Sequence, residues 1–217
     1  MTNYERMKSF LEGFSQTFVK NIETTLHDAS FDNSDKNKIL YVYNGKSELK
    51  IINMDEFAQK AYTKLKFFPE EIAERKDIND LAMATVDGFI IDKNNEWFFI
   101  EFKNQSCSNA RKSVVEKAYQ NYFMLSALIY GNKNSVNIPY FDFSDPIMFA
   151  KKHITYILVV SEEKNSEDVP KMHGLVLAGE KFRPEYMNKL RHYLFKDAYV
   201  YLPSDFERCF VNNFKYA

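Results

Sequence analysis

Apolar residues recur at three- and four-residue steps from Met7 through Phe10, Leu11, Phe14, Phe18 and Ile22 to Leu26, which predicts an amphipathic helix over residues 4–27. The polar stretch DASFDNSDKNK then reads as a loop, and ILYVY and ELKII on either side of Asn44-Gly45 read as a short hairpin. A second helix is expected to be capped by Asp55 and to run through EFAQKAYTKLKFF until Pro69. Residues 70–81 are charged and give no clear element. LAMATVDGFIID and EWFFIEFKN, joined by DKNN, have the β-branched and aromatic content of paired strands. Residues 109–130 lack Gly and Pro and align Val114, Ala118, Tyr122, Leu125 and Ile129, as a long helix would. After a loop rich in turn formers, ITYILVV has the unbroken apolar character of a strand buried on both faces. The segment GLVLA, a helix over RPEYMNKLRHYLF and a strand at AYVYL complete the succession.

This order predicts an α/β protein with a mixed central sheet flanked by helices. At 217 residues, without repeats or low-complexity tracts, the chain reads as a single domain, with residues 1–53 as an N-terminal helix-and-hairpin elaboration and 54–202 as the core. Twenty-nine basic residues nearly balance thirty acidic ones, so the formal charge of -1 gives no global attraction to a phosphate polymer. Any nucleic-acid contact would come from local cations. Two cysteines, Cys107 and Cys209, make no disulfide framework and lack zinc-ligand spacing. The charged start MTNYERMKSF and the absence of a bilayer-length apolar run lead to the expectation of a cytoplasmic protein without membrane contact.

The informative positions are charges inside otherwise apolar strands, which are costly unless compensated. Asp87 interrupts MATVDGFII; Glu101 and Lys103 interrupt FFIEFK and, two residues apart, share a face. With a three-residue loop, Lys93-Asn94-Asn95, and an asparagine in the left-handed conformation, Asp87 falls opposite Glu101. A two-residue loop would put them on opposite faces. Facing carboxylates call for a shared proton or a bridging cation. Oxygen donors suit Mg²⁺ or Mn²⁺, and Lys103 would then adjoin the bound water or developing negative charge.

Asp87, thirteen intervening residues and Glu101-Phe102-Lys103 at the end of an apolar strand resemble the PD-(D/E)XK nuclease superfamily. The resemblance covers residues 82–130, and the order of elements is compatible over 54–161. It implies a restriction-endonuclease-like core with an N-terminal helical extension and Mg²⁺- or Mn²⁺-dependent hydrolysis of phosphodiester bonds, in DNA before RNA. It further implies Asp87 and Glu101 as metal ligands, with the Ile100 or Phe102 carbonyl adding a ligand, and Lys103 orienting or activating the attacking water. Val86 stands where the family's nominal proline would be. Met124, four residues past Gln120, departs from the glutamine and tyrosine signature of RecB-like members.

The superfamily commonly adds a carboxylate from a preceding helix. Glu56 is the candidate, in competition with Glu70, Glu71 and Glu74, although its position also suits a solvated first-turn acid. Asn104 and Gln105 are candidates for contact with substrate or metal-bound water, and Arg111, Lys112 and Lys117 for contact with phosphates, against the alternative of solvated polar faces. His27, His153, His173 and His192 show neither ligand spacing nor a paired nucleophile. Three other readings stay open: a cross-strand salt bridge at a sheet edge, a nuclease fold serving as a non-catalytic nucleic-acid-binding or assembly module, and an unrelated interaction protein in which Asp87 and Glu101 share no face. Homodimer formation is also left open.

Overall fold

In the computed structural model, residues 1–15, 21–32, 39–66, 82–132 and 145–215 are described. The predicted first helix is shorter than its apolar pattern. Helix α1 spans Asn3–Ser15 and buries Met7 and Leu11, whereas Ile22 and Leu26 reach the core from other elements. Strand β1 (Glu23–Thr25) contains two β-branched residues, and the second, Thr25, ends it by accepting the Asp28 N–H at 3.0 Å as the cap of the short helix α2 (Leu26–Ala29). Phe18 lies outside the described residues.

The hairpin expected across Asn44-Gly45 does not form. Strand β2 (Phe31–Asp32) pairs with β3 (Leu40–Tyr41), while β4 (Lys50–Asn53) lies between β1 and β5 (Gly88–Ile91). Ile51 and Ile52 are both fully buried, which a strand achieves only when both its faces are covered, and a position inside the sheet supplies that. The ILYVY segment is instead tied back by the Ser30 hydroxyl, which bonds both the N–H and the carbonyl of Tyr43 at 3.1 Å. Both β1 and β4 therefore belong to the central sheet, and residue 53 marks no break between an elaboration and a core.

Asn53, rather than Asp55, caps the next helical run: its side chain accepts the Glu56 N–H at 2.9 Å. The run comprises α3 (Met54–Phe57), a π-helical stretch over Ala58–Tyr62 and α4 (Thr63–Lys66). Capping from Asn53 leaves the Asp55 carboxylate available for other contacts.

The strand expected over 81–92 is paired only from Gly88, and its hairpin partner β6 spans Trp97–Lys103. The register runs from Gly88↔Ile100 to Ile91↔Trp97, as the three-residue loop requires. The Asp92 carboxylate accepts the N–H groups of Asn94 (2.8 Å) and Glu96 (2.9 Å), and Asn95 takes the left-handed conformation at φ 62°. Ser106 caps the long helix α5 (Cys107–Gly131), which leads toward α6 (Pro146–His153) and β7 (Ile154–Val160), a strand buried at every position. The GLVLA segment is helical, within α7 (Val169–Leu177). Helix α8 (Glu185–Tyr193), strand β8 (Asp197–Tyr201) and helix α9 (Pro203–Cys209) follow.

The result is a six-stranded mixed sheet, ordered β1-β4-β5-β6-β7-β8, antiparallel as far as β6 and parallel from β6 to β8. Strand alternation on β6 divides the core between two faces. On one face Trp97 packs on Phe149 of α6 and Phe99 on Phe195; on the other, Phe98 packs on Phe210 and Phe102 on Phe206 of α9. Helices cover both faces. None of the helices among the described residues is long and apolar enough to cross a membrane.

The turn holds the register, so its left-handed residue has a measurable effect. Asn95 also accepts bonds from Asn3 (3.0 Å) and Trp97 (3.4 Å), which both glycine and alanine would lose. Only alanine would add the steric cost of positive φ. Asn95→Ala is expected to be less stable in urea unfolding than Asn95→Gly by about 1 kcal/mol; equal stability would mean that this conformation imposes no strain.

Candidate active site

Position 87 stands one residue before β5, and continuing the register places it opposite Glu101. Asp87 Oδ2 accepts the Phe102 N–H at 2.6 Å, so the carboxylate completes the sheet edge where β5 has not yet begun. The Lys103 carbonyl accepts from Ser161, beyond β7. Alternation along the strand turns the Phe102 carbonyl the other way, toward Asp87.

Glu101 is fully buried on the same side of the sheet, its Oε1 2.8 Å from Lys103 Nζ. The third acid is Asp55, on the first turn of α3. Its Oδ1 accepts the Thr85 hydroxyl at 2.7 Å.

Lys117, on the sheet-facing side of α5, brings the three acids together. Its Nζ lies 3.0 Å from Glu101 Oε1, 3.2 Å from Asp87 Oδ1 and 3.6 Å from Asp55 Oδ2. The side chains of Lys117 and Asp87 are each 15% exposed, Glu101 not at all and Asp55 38%. Asp55, Asp87, Lys103 and Lys117 line a cleft of about 240 Å³ together with Asp32, Asn104 and Gln105, and Glu101 lies buried behind them. Asn104 donates to Asp32 at 2.9 Å, and Gln105 is exposed at the rim.

The electrostatics follow from burial. Loss of hydration pushes the Glu101 carboxyl up from its ordinary value, and neighbouring Asp87 pushes it further, against Lys117 and Lys103. Burial likewise raises Asp87 and Asp55, with Lys117 opposing in each case. For Lys117, burial favours the neutral amine, but Glu101, Asp87 and Asp55 outweigh it and hold the ammonium above its ordinary value.

Glu56 does not join the cluster: it pairs with Lys60 at 2.6 Å along the outer side of the helix. The adjacent acid, Asp55, takes the inward position. Asparagine at 53 was the available signal, because a cap there frees Asp55 from that role. Glu70, Glu71 and Glu74 lie outside the described residues. Lys117, read from the sequence as a phosphate contact, is instead committed to the carboxylates. Arg111 and Lys112 line a different cleft, of about 620 Å³, with Tyr119, Tyr186 and Tyr193. Gln120 also meets the site's edge, accepting the Ala84 N–H at 2.7 Å.

Three carboxylates are a hard-oxygen donor set of the kind that holds Mg²⁺ or Mn²⁺. Glu101 Oε1 is shielded from solvent and, among the described residues, meets two ammoniums at ion-pair distance without hydrogen-bond alignment to either. The donor chemistry therefore fits a hard cation. As they stand, though, no three His, Cys, Asp or Glu side chains among the described residues are disposed to hold a metal ion. Lys117 is the cation they surround. The chain matches no family model, no curated protein and no solved structure with which it was compared.

The raised carboxyls make metal-free stability depend on pH. A folded-state pKa above the unfolded one stabilises the fold at low pH, and that contribution is lost as pH rises through the folded value. In chelator, Glu101→Gln should therefore melt above wild type at pH 8, by about 2–4 °C for each kcal/mol recovered. The difference should narrow as pH falls below the ordinary carboxyl value, where the wild-type carboxyl is protonated in both states. Thermal melts across pH test this; a gap that widens on acidification contradicts the sign.

Proposed function

We propose that the cleft is a metal-dependent phosphodiesterase centre of PD-(D/E)XK type, acting on DNA in preference to RNA. The observation that carries this reading is the convergence of Asp55, Asp87 and the buried Glu101 on one point beside Lys103, with Asp55, Asp87 and Lys103 lining one cleft. A hard divalent cation, when bound, would polarise the scissile phosphate and lower the pKa of a water ligand.

Asp87 and Glu101 would hold that cation, and Asp55 and the Phe102 carbonyl would add oxygen donors. Lys103, 19% exposed, orients the attacking water and meets the charge that grows on the phosphate as water adds to phosphorus and the ester P–O bond breaks. The Phe102 N–H keeps Asp87 in position throughout, and the aromatic packing beneath β6 keeps the strand from yielding. Gln105 and Asn104, at the rim, contact the sugar-phosphate backbone.

One observation favours a second reading. Lys117 already supplies a cation to all three acids, as expected of a nuclease fold that has exchanged catalysis for nucleic-acid binding or assembly. A cleavage assay on linear, circular and single-stranded DNA with Mg²⁺ and Mn²⁺ separates the two. The catalytic reading expects metal-dependent cleavage that drops by about 10²–10³-fold in Lys103→Ala. Equal activity in both proteins would refute the role given to Lys103, and no cleavage in either would support the non-catalytic reading.

A further inference from the structure

We infer that Lys117 is a resident counter-cation that occupies the metal position while the site is empty and is released into the cleft when a divalent cation enters. The inference rests on the metal-dependent reading and adds to it the control of metal entry.

Three observations carry it. First, the Lys117 ammonium stands at the point where the carboxylates converge, 3.0 to 3.6 Å from an oxygen of each. Mg²⁺ binds its oxygen ligands at about 2.0–2.1 Å, so metal and ammonium cannot share that point. Second, charge balance decides which cation stays. Asp55, Asp87 and Glu101 set three negative charges against the two positive charges of Lys103 and Lys117. Within this cluster of five side chains, adding a divalent cation leaves an excess positive charge if Lys117 remains, and neutrality if it departs. Inside an apolar fold, the neutral arrangement is favoured.

Third, Lys117 has somewhere to go. Its side chain lines the cleft of about 240 Å³, bordered by Lys103, Asn104 and Gln105. The flexible four-carbon stem of lysine lets the ammonium swing outward while the helix stays in place. Lys103 is not an equivalent candidate, because its pairing is with Glu101 alone among the three acids. Released, Lys117 presents a positive charge where the phosphate of a substrate would lie. Metal entry and phosphate affinity then become one coupled event, and the empty site avoids the repulsion of three uncompensated acids.

The test uses the full chain without DNA. Mn²⁺ binding is measured by calorimetry for wild type and Lys117→Gln, and lysine acylation of the wild type is mapped by mass spectrometry with and without Mn²⁺. Exposed Lys60 serves as the reagent control. The expected result is Mn²⁺ binding about tenfold tighter in Lys117→Gln, together with several-fold faster acylation of Lys117, but not of Lys60, when Mn²⁺ is present. Equal or weaker binding by the variant, or a Lys117 that stays protected in the metal-loaded wild type, overturns the inference and leaves the metal-dependent reading standing. Failure of both proteins to bind Mn²⁺ overturns that reading as well. If Lys117→Gln does not fold, the acylation of wild type decides alone.

Discussion

Gathering three carboxylates within 3.6 Å of a single point in a fold is unfavourable unless cations enter with them, and this constraint explains much of the structure around the cleft. Asp87 and Glu101 face each other across adjacent strands, and Asp55 approaches from a helix. None of them carries a compensating charge on its own backbone neighbourhood except through Lys103. Lys117 supplies the missing charge from α5, so the docking of that helix on the sheet and the integrity of the acidic cluster are the same event. The alanines and valine that bring α5 close, Ala110, Val114 and Ala118, are fully buried. They allow a lysine stem to reach the sheet rather than solvent.

The surroundings are built to keep that cluster rigid. Beneath it, Phe102 packs against Phe206 and Tyr43, and Phe99 against Phe89 and Phe195, so β6 is held by aromatic contacts on both faces. On its edges, β6 bonds antiparallel to β5 from Trp97 to Ile100 and parallel to β7 over its whole length. A strand fixed on four sides gives its charged residues little freedom to relax. That is a cost to stability and an advantage to any chemistry that depends on fixed charge.

Much of this was legible in the sequence where a single segment decided its own structure. Strands β6 and β7 and helix α5 are long and uniform in pattern, and the Lys93–Asn95 loop set the facing of Asp87 and Glu101 because its length alone determines parity. What escaped depended on partners distant in sequence. The pairing of β4 with β1 and β5 could not be read from ILYVY and ELKII, since proximity along the chain favoured the wrong neighbour. Elements of two to four residues, such as β1 and α2, are too short to interrupt an apolar period, so one helix was read where three elements stand. Asp55 and Glu56 are adjacent acids, and only the identity of the cap, Asn53, chose between them. Lys117 looked like any surface cation because its partners come from three other segments.

The turn between β5 and β6 bears on how this chain can drift. Within it, Lys93 and Asn94 can be exchanged at modest cost, since the bonds that shape it at those positions come chiefly from their backbone N–H groups. Its length is another matter. Adding or removing one residue would turn every side chain from Gly88 to Ile91 to the opposite face and carry Asp87 away from Glu101, burying charge on the face where Phe98 and Phe102 now pack. Related chains that keep the acidic pair should therefore vary freely in the composition of this turn while preserving its residue count, a constraint visible in gap positions rather than in residue identity.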